Sequence, residues 1–148
     1  MEISVSVTIN KTKATVWDAI VDIENCQSFI TSIEKIDILE KPKDTLKGFK
    51  WKETRVLFGK EATETMEITD YENEKFYQTR ADNHGSVYIS KLSLDEINKV
   101  TRLTMSFKSI PETFVAKIMS TLMSFMIKGS MQKALLKDLN DIKNHLEK

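Results

Sequence analysis

The sequence predicts an α+β domain: a curved antiparallel sheet of seven strands around a long C-terminal helix, with two short helices after strand one. Three observations carry this. Apolar residues alternate at Ile3, Val5, Val7 and Ile9, turn signals break up residues 33–109 with no helical segment among them, and helical periodicity then runs to Leu146. With no helix to carry a parallel crossover, the middle strands must follow one another as antiparallel hairpins.

Each element has its own signal. The alternation at the N-terminus marks a strand with one buried and one wet face. Asn10 is the expected cap of a first helix, in which Val16, Trp17, Ile20, Val21 and Ile23 recur at helical spacing; a second short turn spans residues 25–31 around Phe29 and Ile30. Breaks at 42–48, 59, 72–74, 83–85 and 96–98 divide the next stretch into six strands. Pro111 is expected to open the last helix, where its missing N–H costs nothing.

In that helix Phe114, Val115, Ile118, Met119, Leu122, Met123, Phe125, Met126 and Ile127 cover an arc wider than a surface helix requires. Leu135, Leu139, Ile142 and Leu146 form a narrower stripe rotated by roughly 130°. Supercoiling drifts only about 20° per heptad, so the shift predicts a kink or break at Lys128-Gly129-Ser130, with Gly129 its cause. A straight helix packs incompletely against a strongly curved sheet, so an internal cavity is expected between them.

The chain of 148 residues suits a single domain over 1–148, burying about 68–70% of the surface that the unfolded chain exposes. Lys and Arg number 22, as do Asp and Glu, and the balance holds within regions, which argues against nucleic acid as a partner. Cys26 is the one cysteine, so no internal disulfide forms, and a reducing, cytoplasmic setting suits it. The first residues lack the basic-then-apolar pattern of a signal peptide. Residues 114–127 are interrupted by Lys117, Ser120, Thr121 and Ser124 and fall short of the about 20 apolar residues that cross a bilayer, so no stable membrane insertion is expected. No phosphate loop or nucleophile elbow occurs, and His and Cys are too few for a zinc site; neither a cofactor nor a metal is expected.

The polar residues of interest sit on an apolar phase. If Phe49, Trp51 and Leu57 face inward, Glu53 and Arg55 do so too, because side chains two apart share a face. On the next strand Ala62, Met66 and Ile68 bring Glu64 inward. A buried Arg55 requires Glu53, Glu64 or a ligand carboxylate as partner. The alternative is that sheet twist carries these residues to a wet edge as a cross-strand ion pair contributing about 0–1 kcal/mol. Arg80 and His84 flank a polar hairpin followed by Tyr88, a weak acid–base set; His145 reads as a solvated residue at a helix end. Cys26 reads as a small, partly buried hydrophobe. Met119, Met123, Met126 and Met131 cluster on the last helix, where thioethers suit an adaptable wall.

Gly48-Phe49-Lys50-Trp51-Lys52-Glu53-Thr54-Arg55 and Phe58-Gly59-Lys60-Glu61-Ala62-Thr63-Glu64-Thr65-Met66-Glu67-Ile68 resemble the paired middle strands of the polyketide cyclase/dehydrase-like branch of the START-like (SRPBCC) superfamily. Val100-Thr101-Arg102-Leu103-Thr104 is similar to its final strand, and the stretch from Met126 through Ala134-Leu135 and Asp138-Leu139 to Leu146 is similar to its last helix. Many relatives carry a Pro-Trp pair where this chain has Cys26-Gln27-Ser28-Phe29, and their last hairpin is richer in Gly than Asp95-Glu96-Ile97-Asn98-Lys99. The resemblance implies a helix-grip fold with a hydrophobic ligand cavity. It leaves open binding or transport of a small hydrophobic molecule, a cyclase or dehydratase, and a protein-interaction module such as a co-chaperone.

The expected cavity wall comprises Trp51, Glu53, Arg55, Glu64, Met66 and Tyr88 of the middle strands, Met105 and Phe107 of the last strand, and Ile118, Leu122, Phe125 and Met126 of the helix. Were the protein an enzyme, Glu53 or Glu64 would act as base and Arg55 would stabilise an enolate. A monomer or homodimer is expected.

Overall fold

The computed structural model describes residues 1–57, 59–83 and 85–148, with the backbone alone at 122–126. In chain order the elements are β1 (Glu2–Ile9), α1 (Lys13–Val21), a 3-10 turn (Ile23–Ser28), β2 (Ile33–Glu40), β3 (Lys50–Leu57), β4 (Lys60–Glu72), β5 (Phe76–Asn83), β6 (Ser86–Ile97), β7 (Val100–Pro111) and α2 (Phe114–Leu146). The seven strands form one sheet in the order β1-β7-β6-β5-β4-β3-β2, and every neighbouring pair is antiparallel. Strands β2 to β7 are a simple meander, and β1 closes beside β7.

The turns have clear chemistry. Asn98 and Lys99 both take positive φ, 52° and 65°, and close Ile97 onto Val100 in a two-residue hairpin whose hand matches the strand twist. Glu96 turns back from this hairpin to accept the backbone N–H of Lys13 at 2.7 Å, placing a carboxylate at the start of α1. Thr12, not Asn10, caps α1, its hydroxyl accepting from Thr15. The Asn10 N–H donates instead to Glu147 Oε2 at 2.8 Å, beyond the end of α2.

The core lies between the inner sheet face, α1 and the C-terminal half of α2. Ile9, Ile20, Ile68, Leu103 and Leu139 are fully enclosed, with Trp17 and Tyr77 meeting edge to face at 6.3 Å between ring centroids. Ile3 and Ile9 of the alternating first strand are both buried, as its period requires.

Two expectations about α2 are corrected. Pro111 does not open it: Pro111 ends β7, paired with Ser86, and the helix starts three residues later at Phe114, with Thr113 as its cap, accepting from Ala116 at 3.1 Å. A Thr hydroxyl satisfies an otherwise unpaired helical N–H, which proline at the first turn cannot do. Nor does the helix break at Lys128-Gly129-Ser130; it is continuous across all 33 residues. An isolated Gly costs a helix about 1 kcal/mol relative to Ala, too little to interrupt one held by packing on either side.

The rotated stripe has another origin. At 100° per residue Ser120, Ile127, Met131, Ala134 and Asp138 lie within about 40° of one direction, whereas Phe114, Val115, Ile118 and Met119 centre about 160° away. The second group is exposed, Phe114 by 77%. Of the arc's described residues, Phe114, Val115, Ile118 and Met119 face outward and Ile127 lines the inner side.

Both ends of α2 are fastened. At its start, the backbone N–H groups of Glu112 and Thr113 both donate to the Gly85 carbonyl in the β5–β6 turn, at 2.8 and 3.3 Å. Gly85 has φ of +77°, and a Cβ there would lie 2.7 Å from Thr113 Oγ1, so both handedness and space demand glycine. At its end, Glu147 holds Asn10, and Lys143 reaches the Thr8 carbonyl.

Candidate functional site

The inner phase of β3 holds as its spacing predicts: Phe49, Trp51 and Glu53 are buried and Arg55 is largely so. Pairing with β4 sets Glu53 directly opposite Glu64 and Arg55 opposite Ala62. Two carboxylates facing each other across a ladder repel unless each has a partner. Glu53 takes Arg55, whose Nε donates to its Oε2 at 2.5 Å, and Trp51, whose Nε1 donates to its Oε1 at 3.2 Å. Glu64 takes Asn83, whose Nδ2 donates at 2.6 Å.

The second partner of Arg55 comes from α2. Its Nη1 donates to Asp138 Oδ2 at 2.7 Å, so one guanidinium is gripped by a carboxylate from its own strand and one from the covering helix. Asp138 is only 4% exposed. Its other oxygen, Oδ1, is buried and accepts no hydrogen bond from any described residue.

A chamber of about 330 Å³ lies between the sheet and α2, with a smaller one of about 80 Å³ deeper, beside Trp51, Tyr77 and Leu139. Glu53, Arg55 and Asp138 line both, so the charged cluster stands where the two meet. The rest of the outer wall is mostly apolar or small, including Leu57, Met66, Met105, Phe107, Met131 and Leu135. Tyr88 stacks on Phe107 at 5.9 Å.

The electrostatics follow from burial. Desolvation pushes the Asp138 carboxyl above its ordinary value, opposed by Arg55. Burial alone would lower the Arg55 pKa, but Glu53 and Asp138 more than offset it and the guanidinium stays charged. The Cys26 thiol is pushed up to about 12, first by burial and then by Glu53 and Asp22, which makes it an inert core side chain. Burial likewise raises Tyr77, whose hydroxyl donates to the Ile20 carbonyl at 3.2 Å.

Of the expected wall, Glu53, Arg55, Glu64, Met66, Tyr88, Met105 and Phe107 line the outer chamber, and Trp51 lines the inner one. Ile118 does not: it is 46% exposed and points away, because it sits about 160° round the helix from Ser120 towards solvent. The side chains of Leu122, Phe125 and Met126 lie outside the described residues, as do Met123 and His84. Met119 is exposed, whereas Met131 reaches the chamber. Arg80 is exposed and pairs with Asp82, away from the cluster. His145 is exposed as expected and stacks on Phe29 at 4.2 Å. Glu64 is not the partner of Arg55.

Asp138 is the residue that sequence reasoning missed. The signal was present: with Leu135, Leu139 and Ile142 it completes an i, i+3, i+4, i+7 set, and an acid on that stripe must find a buried cation. Among the described residues no group of three or more His, Cys, Asp or Glu is placed to hold a metal ion, and no helix is long and apolar enough to cross a membrane.

No curated protein matches the sequence. Solved structures do match the fold. A protein of Thermus thermophilus is 13% identical with a TM-score of 0.80, covering 99% of this chain and 97% of its own. The Zhui aromatase/cyclase of a Streptomyces species is 15% identical with a TM-score of 0.77, covering 99% and 93%. A START superfamily protein of Mycobacterium smegmatis is 14% identical with a TM-score of 0.70, covering 95% and 98%. At such identities they establish the helix-grip architecture alone. The sequence itself matches the family described as polyketide cyclase/dehydrase and lipid transport over residues 1–140. With nearly the whole chain matched and the sheet, helix and chamber arranged as that fold arranges them, the protein belongs to the polyketide cyclase/dehydrase and lipid transport family.

Proposed function

We propose that the protein binds or carries a small hydrophobic molecule in the chamber between its sheet and α2. The carrying observation is the outer chamber itself, about 330 Å³ of mostly apolar lining left open by a continuous helix over a curved sheet. That volume falls at the lower end of the range of small-molecule sites, roughly 300–1,000 Å³. Membership of a family that includes lipid transport supports the reading. Native mass spectrometry of gently purified protein, followed by challenge with a lipid and polyketide panel, tests it. A retained or acquired apolar molecule is expected; a folded protein that neither carries nor takes up any of them overturns the reading.

One observation favours a second reading, a cyclase or dehydratase. Asp138 lines the chamber, keeps one buried oxygen unpaired and has its carboxyl shifted upward by burial, the direction that favours holding a proton for transfer. Glu53 is the poorer base, since Arg55 and Trp51 already occupy both of its oxygens. Under this reading, turnover of a polyketide-like substrate is lost in Asp138→Asn while its binding persists.

A further inference from the structure

We propose that the chamber selects apolar molecules whose polar end is a hydrogen-bond donor, a hydroxyl or an ammonium group, delivered to Asp138 Oδ1, and that it rejects carboxylates. This deepens the binding reading above and rests on it.

The argument begins with an unpaired atom. Asp138 Oδ1 is buried with no donor among the described residues, while its sister oxygen is fixed by Arg55. A buried acceptor without a partner is costly, and a carboxylate oxygen more so than a neutral one. Asp138 lines both chambers while Oδ1 itself is enclosed, so a guest's donor meets that oxygen once a small shift of the surrounding side chains opens the path. A donor that arrives there supplies the missing hydrogen bond; an acceptor does not.

Charge points the same way. The outer wall carries three carboxylates, Glu53, Glu64 and Asp138, and a single guanidinium. Arg55 is already flanked on two sides by Glu53 and Asp138, so it offers a guest anion little net attraction. A guest carboxylate would bring a fourth negative charge to a wall whose side chains supply one cation, and that cation is already paired. A hydroxyl avoids that repulsion and an ammonium reverses it. Of the three partners left open for Arg55, Glu53 is the one it takes, and a ligand carboxylate is the one this wall disfavours.

Four probes that share one ring system test this by calorimetry or by quenching of the tryptophan emission: naphthalene, 2-naphthalenemethanol, 2-naphthalenemethylamine and 2-naphthoate. The alcohol or the amine should bind about tenfold or more tightly than both naphthalene and naphthoate. A lead for the amine identifies a cationic end, and a lead for the alcohol a neutral one; either supports the proposal. Asp138→Asn supplies the second arm. Its amide oxygen must accept from Arg55, which turns its NH2 towards the chamber and makes naphthoate the preferred probe of the four. Naphthoate binding as well as the alcohol and amine in the native protein, or an unchanged order in folded Asp138→Asn, overturns the proposal while the binding reading stands. Failure of all four probes to bind counts against the binding reading itself.

Discussion

Asp138 and Asp141 lie one turn apart on α2, both tie that helix to the rest of the molecule, and their surroundings drive them in opposite directions. Asp141 Oδ2 accepts from the Thr31 N–H and hydroxyl, each at 3.0 Å, and from Lys137 at 3.1 Å. These three donors outweigh its partial burial and hold its pKa below the ordinary value. Asp138 faces inward with one donor for two oxygens, and burial raises it. The same residue type thus has its oxygen satisfied and its acidity strengthened where donors are plentiful, and is left with an unpaired oxygen and a raised carboxyl where they are withheld.

The sharpest way to break this contrast is Arg55→Met, which leaves Glu53 and Asp138 buried without their cation. A loss of about 3–5 kcal/mol is expected in urea denaturation at neutral pH. Asp138→Asn goes the other way. A raised carboxyl favours the protonated form in the folded state, so native stability falls as pH rises from the ordinary aspartate value through the raised one. The amide mimics the protonated acid. At neutral pH the variant should gain stability, because the amide removes a charge that burial disfavours while Glu53 still partners Arg55. That gain should vanish as pH is lowered to the ordinary aspartate range.

Asp141→Asn should show the mirror image. A lowered carboxyl contributes stability that is complete above its ordinary value and is lost as pH falls through the folded one. A deficit of roughly 1 kcal/mol is expected at neutral pH, allowing for solvent at this site, and it should close in acid. Lys137→Met should do least. Its ion pair is exposed and worth about 0.5 kcal/mol or less, and added salt should erase even that.

The fold was legible because its signals are local. Alternation in β1, the breaks between hairpins and the two-residue period of β3 each need only neighbouring residues, and that period alone carried Glu53 and Arg55 inward. What failed needed long-range knowledge. The partner of Arg55 comes from the far end of the chain, and only the helix laid across the folded sheet brings Asp138 to it. Pro111 satisfied a rule for helix starts and equally a rule for strand ends, and pairing with Ser86 decided between them. The predicted break at Gly129 arose from setting an arc whose described members Phe114, Val115, Ile118 and Met119 are exposed against a stripe, Leu135, Leu139 and Ile142, that is buried, a distinction no helical plot makes without the sheet.

The fastening of α2 at both ends constrains how any guest is admitted. A bar hinged at one end swings aside; a bar clamped at Gly85 and again at Asn10 can only bow. Gly129 lies within the free span, with open space where a side chain would begin, at the place where such a bar bends at least expense. Under the binding reading proposed above, the size of the cargo is governed by the stiffness of a helix and not by the opening of a door.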